Sequence, residues 1–362
     1  MKKSILFVIH QIRYGGADKM LSYVANQLSK GDYDVHIYTY EGTTSYYELD
    51  NYIDYIPEKN IATKRILRRF IQIYQVKKII NRVKPDVVIS FLQNPNTIST
   101  LATLFTKVPV IICERGDPYR YGIQTSKFLK FIYYFAQGSV FQTEGARDYF
   151  NKKIVRNSEV IPNPVTQKSK YDSDIKRNNE IVFVGRFELI QKRQDVMLKA
   201  FAKVTTEYPE IKLVFYGDGK DLETIQNMSV DLGVEDKVQF AGVVNNICDT
   251  IKSSKMFVLT SDYEGIPNAL IEAMSVGLPV ISTDCSPGGA RMLIENKVNG
   301  VIVSKGDVDA VVKAIKNYIE HPDLAEQYAK IATEIVDKYS PKKIINMWSK
   351  YIDKIIGESY VD

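Results

Sequence analysis

Three short stretches of the sequence combine residue types that can do chemistry. The first is Glu264-Gly265-Ile266-Pro267-Asn268-Ala269-Leu270-Ile271-Glu272. It follows an apolar run at 256–259, and Pro267 suits the first residue of a helix. A helix start offers unpaired N–H groups and the positive end of the helix dipole, so it favours an anion such as a diphosphate. Glu264 falls in the loop before that helix, and Glu272 lies at least a turn inside it. Carboxylates do not hold phosphate, but they accept hydrogen bonds from the hydroxyls of sugars and ribose. The competing reading is a surface loop with two solvated glutamates.

The second stretch runs Val184-Gly185-Arg186-Phe187 and on to Gln191-Lys192-Arg193. Arg186 and Lys192 follow a strand, where two cations can neutralise a diphosphate that gains charge as a bond breaks. The third is Tyr14-Gly15-Gly16-Ala17-Asp18, a glycine pair between a strand and a helix. It is not the G-x-G-x-x-G dinucleotide fingerprint, and neither is Gly217-Asp218-Gly219. Taken alone, each of these glycine stretches reads as a tight turn rather than a site.

The elements that must position these residues alternate regularly. Short Val- and Ile-rich runs predict strands at 4–9, 35–40, 86–91, 109–113, 138–142 and 158–161. Helical stretches fall at 17–30, 64–82, 96–106, 126–136 and 145–151. Pro162-Asn163-Pro164 and the aperiodic polar stretch 166–179 then read as a linker. A second series has strands at 181–184, 212–216, 237–241, 256–259, 279–282 and 300–303. Its helices are expected at 193–207, 219–232, 245–252, 267–276, 307–320 and 323–338, with a last helix from Ser340 to about Gly357. This is an α/β chain with two doubly wound parallel sheets, and such sheets bind ligands outside the carboxyl ends of their strands. Two of them facing a cleft would suit a reaction between two substrates.

Composition narrows the class. The 362 residues are 45 % hydrophobic and 25 % charged, as in soluble globular chains, which excludes a disordered or collagen-like chain. No apolar run reaches the roughly 18–20 residues that span a bilayer. Three scattered cysteines (Cys113, Cys248, Cys285) and three histidines argue against a disulfide framework or a zinc site. The apolar start at 4–9 is too short for a signal peptide and reads as a buried strand. The formal charge of +5 hides an asymmetry: residues 1–175 carry a net +9, and residues 176–362 a net −4.

Taken in order, Gly-Gly-Ala-Asp after the first strand, Ile-Pro-Asn-Pro at the linker, Val-Gly-Arg…Lys, Tyr-Gly-Asp-Gly and Glu-Gly-Ile-Pro-Asn-Ala-Leu-Ile-Glu-Ala closely resemble glycosyltransferase family 4. The resemblance covers nearly the whole chain. It implies the GT-B fold, with a 1–165 acceptor-side domain, a 178–340 donor-binding domain and a 341–362 helix that crosses back to the first domain. It implies a retaining, metal-independent transfer from a nucleotide sugar, with a UDP-sugar the expected donor, and no cofactor. On this resemblance Arg186 and Lys192, beside Gly185, hold the donor diphosphate. Glu264 meets the donor sugar, and Glu272 the ribose. Gly265, Ile266, Pro267 and Asn268 form the loop whose backbone meets sugar and phosphate, and Gly15 and Gly16 close on the phosphates from the first domain.

One departure stands out. Many family members carry a histidine near the reacting carbon, where this chain reads Ile112-Cys113-Glu114-Arg115-Gly116-Asp117-Pro118. It looks more like a branch with an acidic-basic pair, found in bacterial enzymes that build surface polysaccharides. Glu114, Arg115 and Asp117 are candidates to bind the acceptor or stabilise the departing phosphate, and a local ion pair between Glu114 and Arg115 is the alternative.

The basic half holds a further signal. Residues 64–84 contain eight basic side chains, among them Arg65, Arg68 and Arg69, and no acid, with apolar residues at helical spacing. A second basic, aromatic stretch runs from Tyr119-Arg120-Tyr121 to Lys127–Phe135. Such segments suit an anionic membrane surface, or else a solvated helix whose apolar side is core. The expected partners are a nucleotide sugar, a lipid-linked saccharide and possible contact with the inner face of the cell membrane, for a cytoplasmic chain. Nucleic acid is not expected, because no nucleic-acid motif is present. The rival functions are a nucleotide-sugar epimerase of the same fold, which needs no acceptor, and a non-catalytic nucleotide-sugar-binding protein, which would bind without turnover.

Overall fold

The central Val- and Ile-rich runs form parallel strands buried on both faces, which is why they lack polar alternation. In the computed structural model, residues 2–13, 15–58, 64–121, 127–166, 171–172 and 174–359 are described. The chain divides into two units, Met1–Asn163 with Lys342–Asp362, and Pro164–Pro341.

The first unit holds β1 (Lys3–Ile9), β2 (Tyr33–Thr39), β3 (Ile53–Pro57), β4 (Val87–Phe91), β5 (Val110–Glu114), β6 (Gly138–Phe141) and β7 (Ser158–Val160). They form one parallel sheet in the order β3-β2-β1-β4-β5-β6-β7. Leu6, Val8, Tyr38, Val88 and Val110 pack against Val76, Ile79 and Ile80 of helix Arg65–Val83 and Ile98 of helix Gln93–Thr103. Six of these strands match the sequence expectation, and β3 was not expected. It is an edge strand in which only Ile53 is buried, and Asp54 and Pro57 interrupt its apolar residues.

The second unit holds β8 (Glu180–Val184), β9 (Lys212–Tyr216), β10 (Val238–Gly242), β11 (Met256–Leu259), β12 (Val280–Thr283) and β13 (Val301–Val303). Their order, β10-β9-β8-β11-β12-β13, repeats that of the first six strands of the other sheet. Each is thus a Rossmann-like sheet whose order reverses beside its first strand. The expected helix at 323–338 is two, Pro322–Ala332 and Ile335–Lys338.

The stretch 166–179 is less free than a linker. Residues 167–170 and 173 lie outside the described residues. Beyond them, Arg177 donates to the Glu326 carboxylate and to the carbonyls of Lys252 and Gly277, while the Tyr171 hydroxyl donates to Glu326. These contacts fasten the segment to the second unit.

The last helix, Pro341–Ser359, crosses back to the first unit. Trp348 is 1 % exposed and stacks on Phe91 of β4, with ring centroids 6.0 Å apart. The Tyr351 hydroxyl accepts the Ser139 N–H of β6 at 2.8 Å, and Lys3 pairs with Asp353. Trp348→Ala removes the largest fully buried side chain in the chain's described residues. It is expected to destabilise the first unit by about 3–5 kcal/mol, as large-to-small core changes do. Urea unfolding checks this, and an unchanged midpoint would mean that the helix is not part of that core.

Candidate functional site

In the second sheet the strand order reverses between β8 and β11. The residues after these two strands carry the site. β8 leads through Gly185 into the short helix Leu189–Lys192, and β11 leads into the loop holding Glu264. Lys192 Nζ lies 2.5 Å from Glu264 Oε1, with the side chains only 13 % and 9 % exposed. Glu264 Oε1 also accepts from the Ser261 hydroxyl at 2.8 Å, and Gln191 Nε2 donates to Oε2 at 3.4 Å. The Glu264 amide is spent on the Ser286 carbonyl at 2.8 Å. A charge pair this far from water needs such extra hydrogen bonds to be held.

Close backbone approach makes the arrangement possible. A Cβ at Gly217, whose φ is +138°, would lie 2.1 Å from the Gly185 carbonyl oxygen. A Cβ at Gly289 would lie 2.0 Å from that of Gly265. Glycine is therefore required at both positions. At Gly185 itself a Cβ would stand 3.4 Å from Lys192 Cε, an ordinary contact that places this glycine beside the lysine stem.

The remaining sites predicted in this unit are placed differently. Arg186 is 64 % exposed, with the Glu188 carboxylate at 3.8 Å, and it is not part of the Lys192–Glu264 pair. Its carbonyl is held by Gln194 Nε2 at 2.7 Å. Glu272 sits half-buried on helix Asn268–Ser275. Pro267 is not the first helical residue. It is the cap, extended at ψ 102°, with its carbonyl accepting the Leu270 and Ile271 amides. A cap residue contributes a carbonyl and needs no helical ψ, so proline is accommodated one position earlier than expected. Ile266 is buried and anchors the loop.

The first unit has its own polar cluster, at the carboxyl ends of β4, β5 and β6. Glu114 Oε1 accepts from the Tyr133 hydroxyl at 2.7 Å and from Asn96 Nδ2 at 3.2 Å. Withdrawal from water pushes the Glu114 carboxyl above its usual range, against the pull of those two donors. Arg115 is buried, donates to Asn163 Oδ1 at 2.5 Å and lies over the Phe91 ring at 5.2 Å. Burial pushes its guanidinium down to about 10. The alternative of a Glu114–Arg115 ion pair is not what the structure contains: each residue has other partners. Asp117 is buried and caps the turn Pro118–Tyr121, accepting the Tyr119 amide at 2.9 Å.

Gly16 begins helix Gly16–Ser29, with Gly15 as its cap in an extended conformation that any residue adopts. Asp18 Oδ2 accepts the Arg13 amide at 2.9 Å and closes the loop. Tyr14 lies outside the described residues. Among the described residues, no group of three or more His, Cys, Asp or Glu is placed to hold a metal ion.

Comparison with known proteins fits this framework. The family description "Glycosyl transferases group 1" matches residues 166–335, and "Glycosyltransferase Family 4" matches residues 14–168. The chain belongs to glycosyltransferase family 4. Among its relatives is a Campylobacter jejuni GalNAc-alpha-(1->4)-GalNAc-alpha-(1->3)-diNAcBac-PP-undecaprenol alpha-1,4-N-acetyl-D-galactosaminyltransferase, 25 % identical over 97 % of this chain and 98 % of that one. Among solved structures, the lipopolysaccharide outer core galactosyltransferase WaaB aligns with a TM-score of 0.78 at 21 % identity, covering 97 % of this chain and 99 % of that one. Anabaena Alr3699/HepE in complex with UDP-glucose aligns with a TM-score of 0.79 at 17 % identity, covering 97 % and 99 %. The fold is therefore GT-B.

Several residues around the Lys192–Glu264 pair were not singled out from sequence. Ser261 and Gln191 ligate Glu264, and Arg193 joins Asp195 to Asp262 at 2.9 and 3.0 Å. Their signal was proximity: each lies within three residues of Lys192 or Glu264.

The Glu114 environment gives a signed pH prediction. A carboxyl whose pKa is raised on folding binds its proton more tightly in the native state, so its ionisation at neutral pH costs stability. Glu114→Gln keeps an oxygen for Tyr133 and Asn96 and removes the charge. The variant should be more stable than wild type at about pH 8. Its advantage should shrink as pH falls through the raised pKa and vanish near the ordinary value of 4.5. Urea midpoints across this range check it, and an advantage that grows on acidification would refute it.

Proposed function

We propose that this glycosyltransferase moves a sugar from a UDP-sugar to a lipid-linked saccharide, with retention and without a metal ion, in bacterial surface-glycan assembly. The observation that carries the reading is the Lys192–Glu264 pair outside β8 and β11, where the strand order reverses. An ammonium has three donors, and Glu264 uses one, so Lys192 keeps two for diphosphate oxygens. Glu264 then offers Oε2 to a sugar hydroxyl. Arg186, exposed at its end, would close on the same diphosphate, while Glu272 takes the ribose and the 265–268 loop the sugar and phosphate. In the proposed step the C1–O bond to the diphosphate breaks with its electron pair. The acceptor oxygen bonds to C1 on the same face, and its proton passes to the departing phosphate oxygen. Cations fixed in advance stabilise that developing charge without reorganisation. The Campylobacter relative, which acts on an undecaprenol diphosphate saccharide, and the UDP-glucose complex of the Anabaena chain support the choice of acceptor and donor.

The test is turnover of a UDP-sugar panel with lipid-linked saccharides. Lys192→Met, which keeps the side-chain length, is expected to lower kcat at least about 100-fold. Full activity would remove the diphosphate clamp. Product without acceptor would favour an epimerase, and binding without turnover would favour a non-catalytic role.

An anionic membrane surface belongs to the same reading. Helix Arg65–Val83 buries Val76, Ile79 and Ile80 yet leaves Leu67, Phe70 and Tyr74 exposed beside Arg69, Lys77 and Lys78. Core packing explains only the buried side. Helix Gln93–Thr103 packs against this helix and against Lys127–Tyr133, and exposed Phe105, Phe131 and Phe135 follow on that layer. Arg68 is half-buried, and the side chains of Arg65 and Lys127 and residues 122–126 lie outside the described ones. No helix among the described residues is long and apolar enough to cross a membrane. Arg69→Gln/Lys77→Gln/Lys78→Gln should weaken binding to phosphatidylserine vesicles about fivefold per charge, from roughly 1 kcal/mol each. Binding equal to wild type would remove the membrane contact.

A further inference from the structure

The residue after Lys192 is built into the loop that carries Glu264. Arg193 has φ 51°, a left-handed conformation that non-glycine residues rarely adopt. Its side chain makes two parallel hydrogen bonds to Asp195, Nε to Oδ1 at 2.9 Å and Nη2 to Oδ2 at 3.0 Å. The remaining Nη1 donates to Asp262 Oδ2 at 3.0 Å. Asp262 in turn donates its amide to the Gln191 carbonyl at 2.9 Å and accepts the Ser286 amide at 3.1 Å. The Thr260 hydroxyl reaches the carbonyls of Lys192 and Arg193 at 3.1 and 2.8 Å. Residues 191–193 are thereby stitched to 260–262, on either side of the Lys192–Glu264 contact.

We infer that Arg193 is a positioning residue, a brace between Asp195 and Asp262 that holds the Lys192 ammonium at Glu264 in the orientation a diphosphate requires. The guanidinium fork suits this task, because one planar group satisfies two carboxylates in fixed directions. The left-handed backbone is the device that turns the side chain of Arg193 away from that of Lys192. Such a conformation persists only where surrounding bonds over-determine it, and such residues gather at functional sites. The role in binding rests on the UDP-sugar reading above, whereas the brace itself does not.

Two measurements separate the brace from that reading. The first needs no ligand: the coupling between Lys192→Met and Glu264→Gln in urea unfolding, with and without Arg193→Gln. The brace requires the coupling to fall at least about twofold when Arg193 is replaced. Arg193→Gly, which adopts φ 51° without strain, repeats the test should the glutamine variant fold poorly. The second is calorimetric titration with UDP. Arg193→Gln is expected to weaken UDP binding about 10-fold in the wild-type background and by less than about twofold in Lys192→Met. Unchanged coupling, or an equal UDP loss in both backgrounds, would overturn the inference. Loss of coupling on replacing Arg193, together with a wild-type chain that does not bind UDP, would support the brace and defeat the UDP-sugar reading.

Discussion

A lysine and a glutamate held 2.5 Å apart and nearly out of water impose conditions on everything around them. Removing two charges from solvent is costly, and their attraction repays the cost only with good geometry and further hydrogen bonds. Ser261 and Gln191 supply those bonds to the carboxylate. The geometry comes from deeper in the fold. Because β8 and β11 are neighbours in a parallel sheet, the segments leaving their carboxyl ends emerge side by side. Gly217 and Gly289 then let the surrounding loops approach to distances at which no Cβ fits. The pair therefore depends on the strand order, and the strand order does not depend on the pair.

The same constraint operates differently in the first unit. There the carboxyl ends of the strands hold two uncharged donors around Glu114 and a guanidinium, Arg115, that meets an aromatic face and an amide. The Phe91 ring under Arg115 is also stacked on Trp348. A helix from the far end of the sequence is thus part of the packing beneath the polar cluster. This explains physically why a chain whose second sheet is complete by residue 303 continues to a returning helix.

How much of this the sequence discloses follows from what each feature depends on. The central parallel strands are continuous apolar runs, and of the thirteen strands among the described residues twelve were legible; β3, Ile-Asp-Tyr-Ile-Pro, was not, because Asp54 and Pro57 break its apolar pattern. Lys192 and Glu264 were legible as types of residue at strand ends. Their contact was not, because it joins positions 72 apart through a strand order that composition does not encode. Arg193 was in plain view beside Lys192, but its role depends on a left-handed φ and on Asp262. Asp117 was legible as a candidate, but its Oδ1 contact with the Tyr119 amide, which caps a turn, was not read from the sequence.

Arg186 and Lys192 entered the argument as equals, two cations for one diphosphate, and the structure makes them unequal. Lys192 has surrendered its side-chain freedom in advance, so an anion that meets it pays little further ordering entropy. Arg186 is exposed and tied only loosely to Glu188 at 3.8 Å, so it retains most of its rotamers and must order on contact. A preorganised cation stabilises charge that develops during a reaction, whereas a mobile one adapts to whichever ligand has arrived. Under the proposed function, that division would give the lysine the rate of bond breaking and the arginine the capture of the donor. The mildly acidic charge of residues 176–362 is no obstacle to either proposed role, because both cations would act at contact distance, where local charge outweighs the net field of the domain.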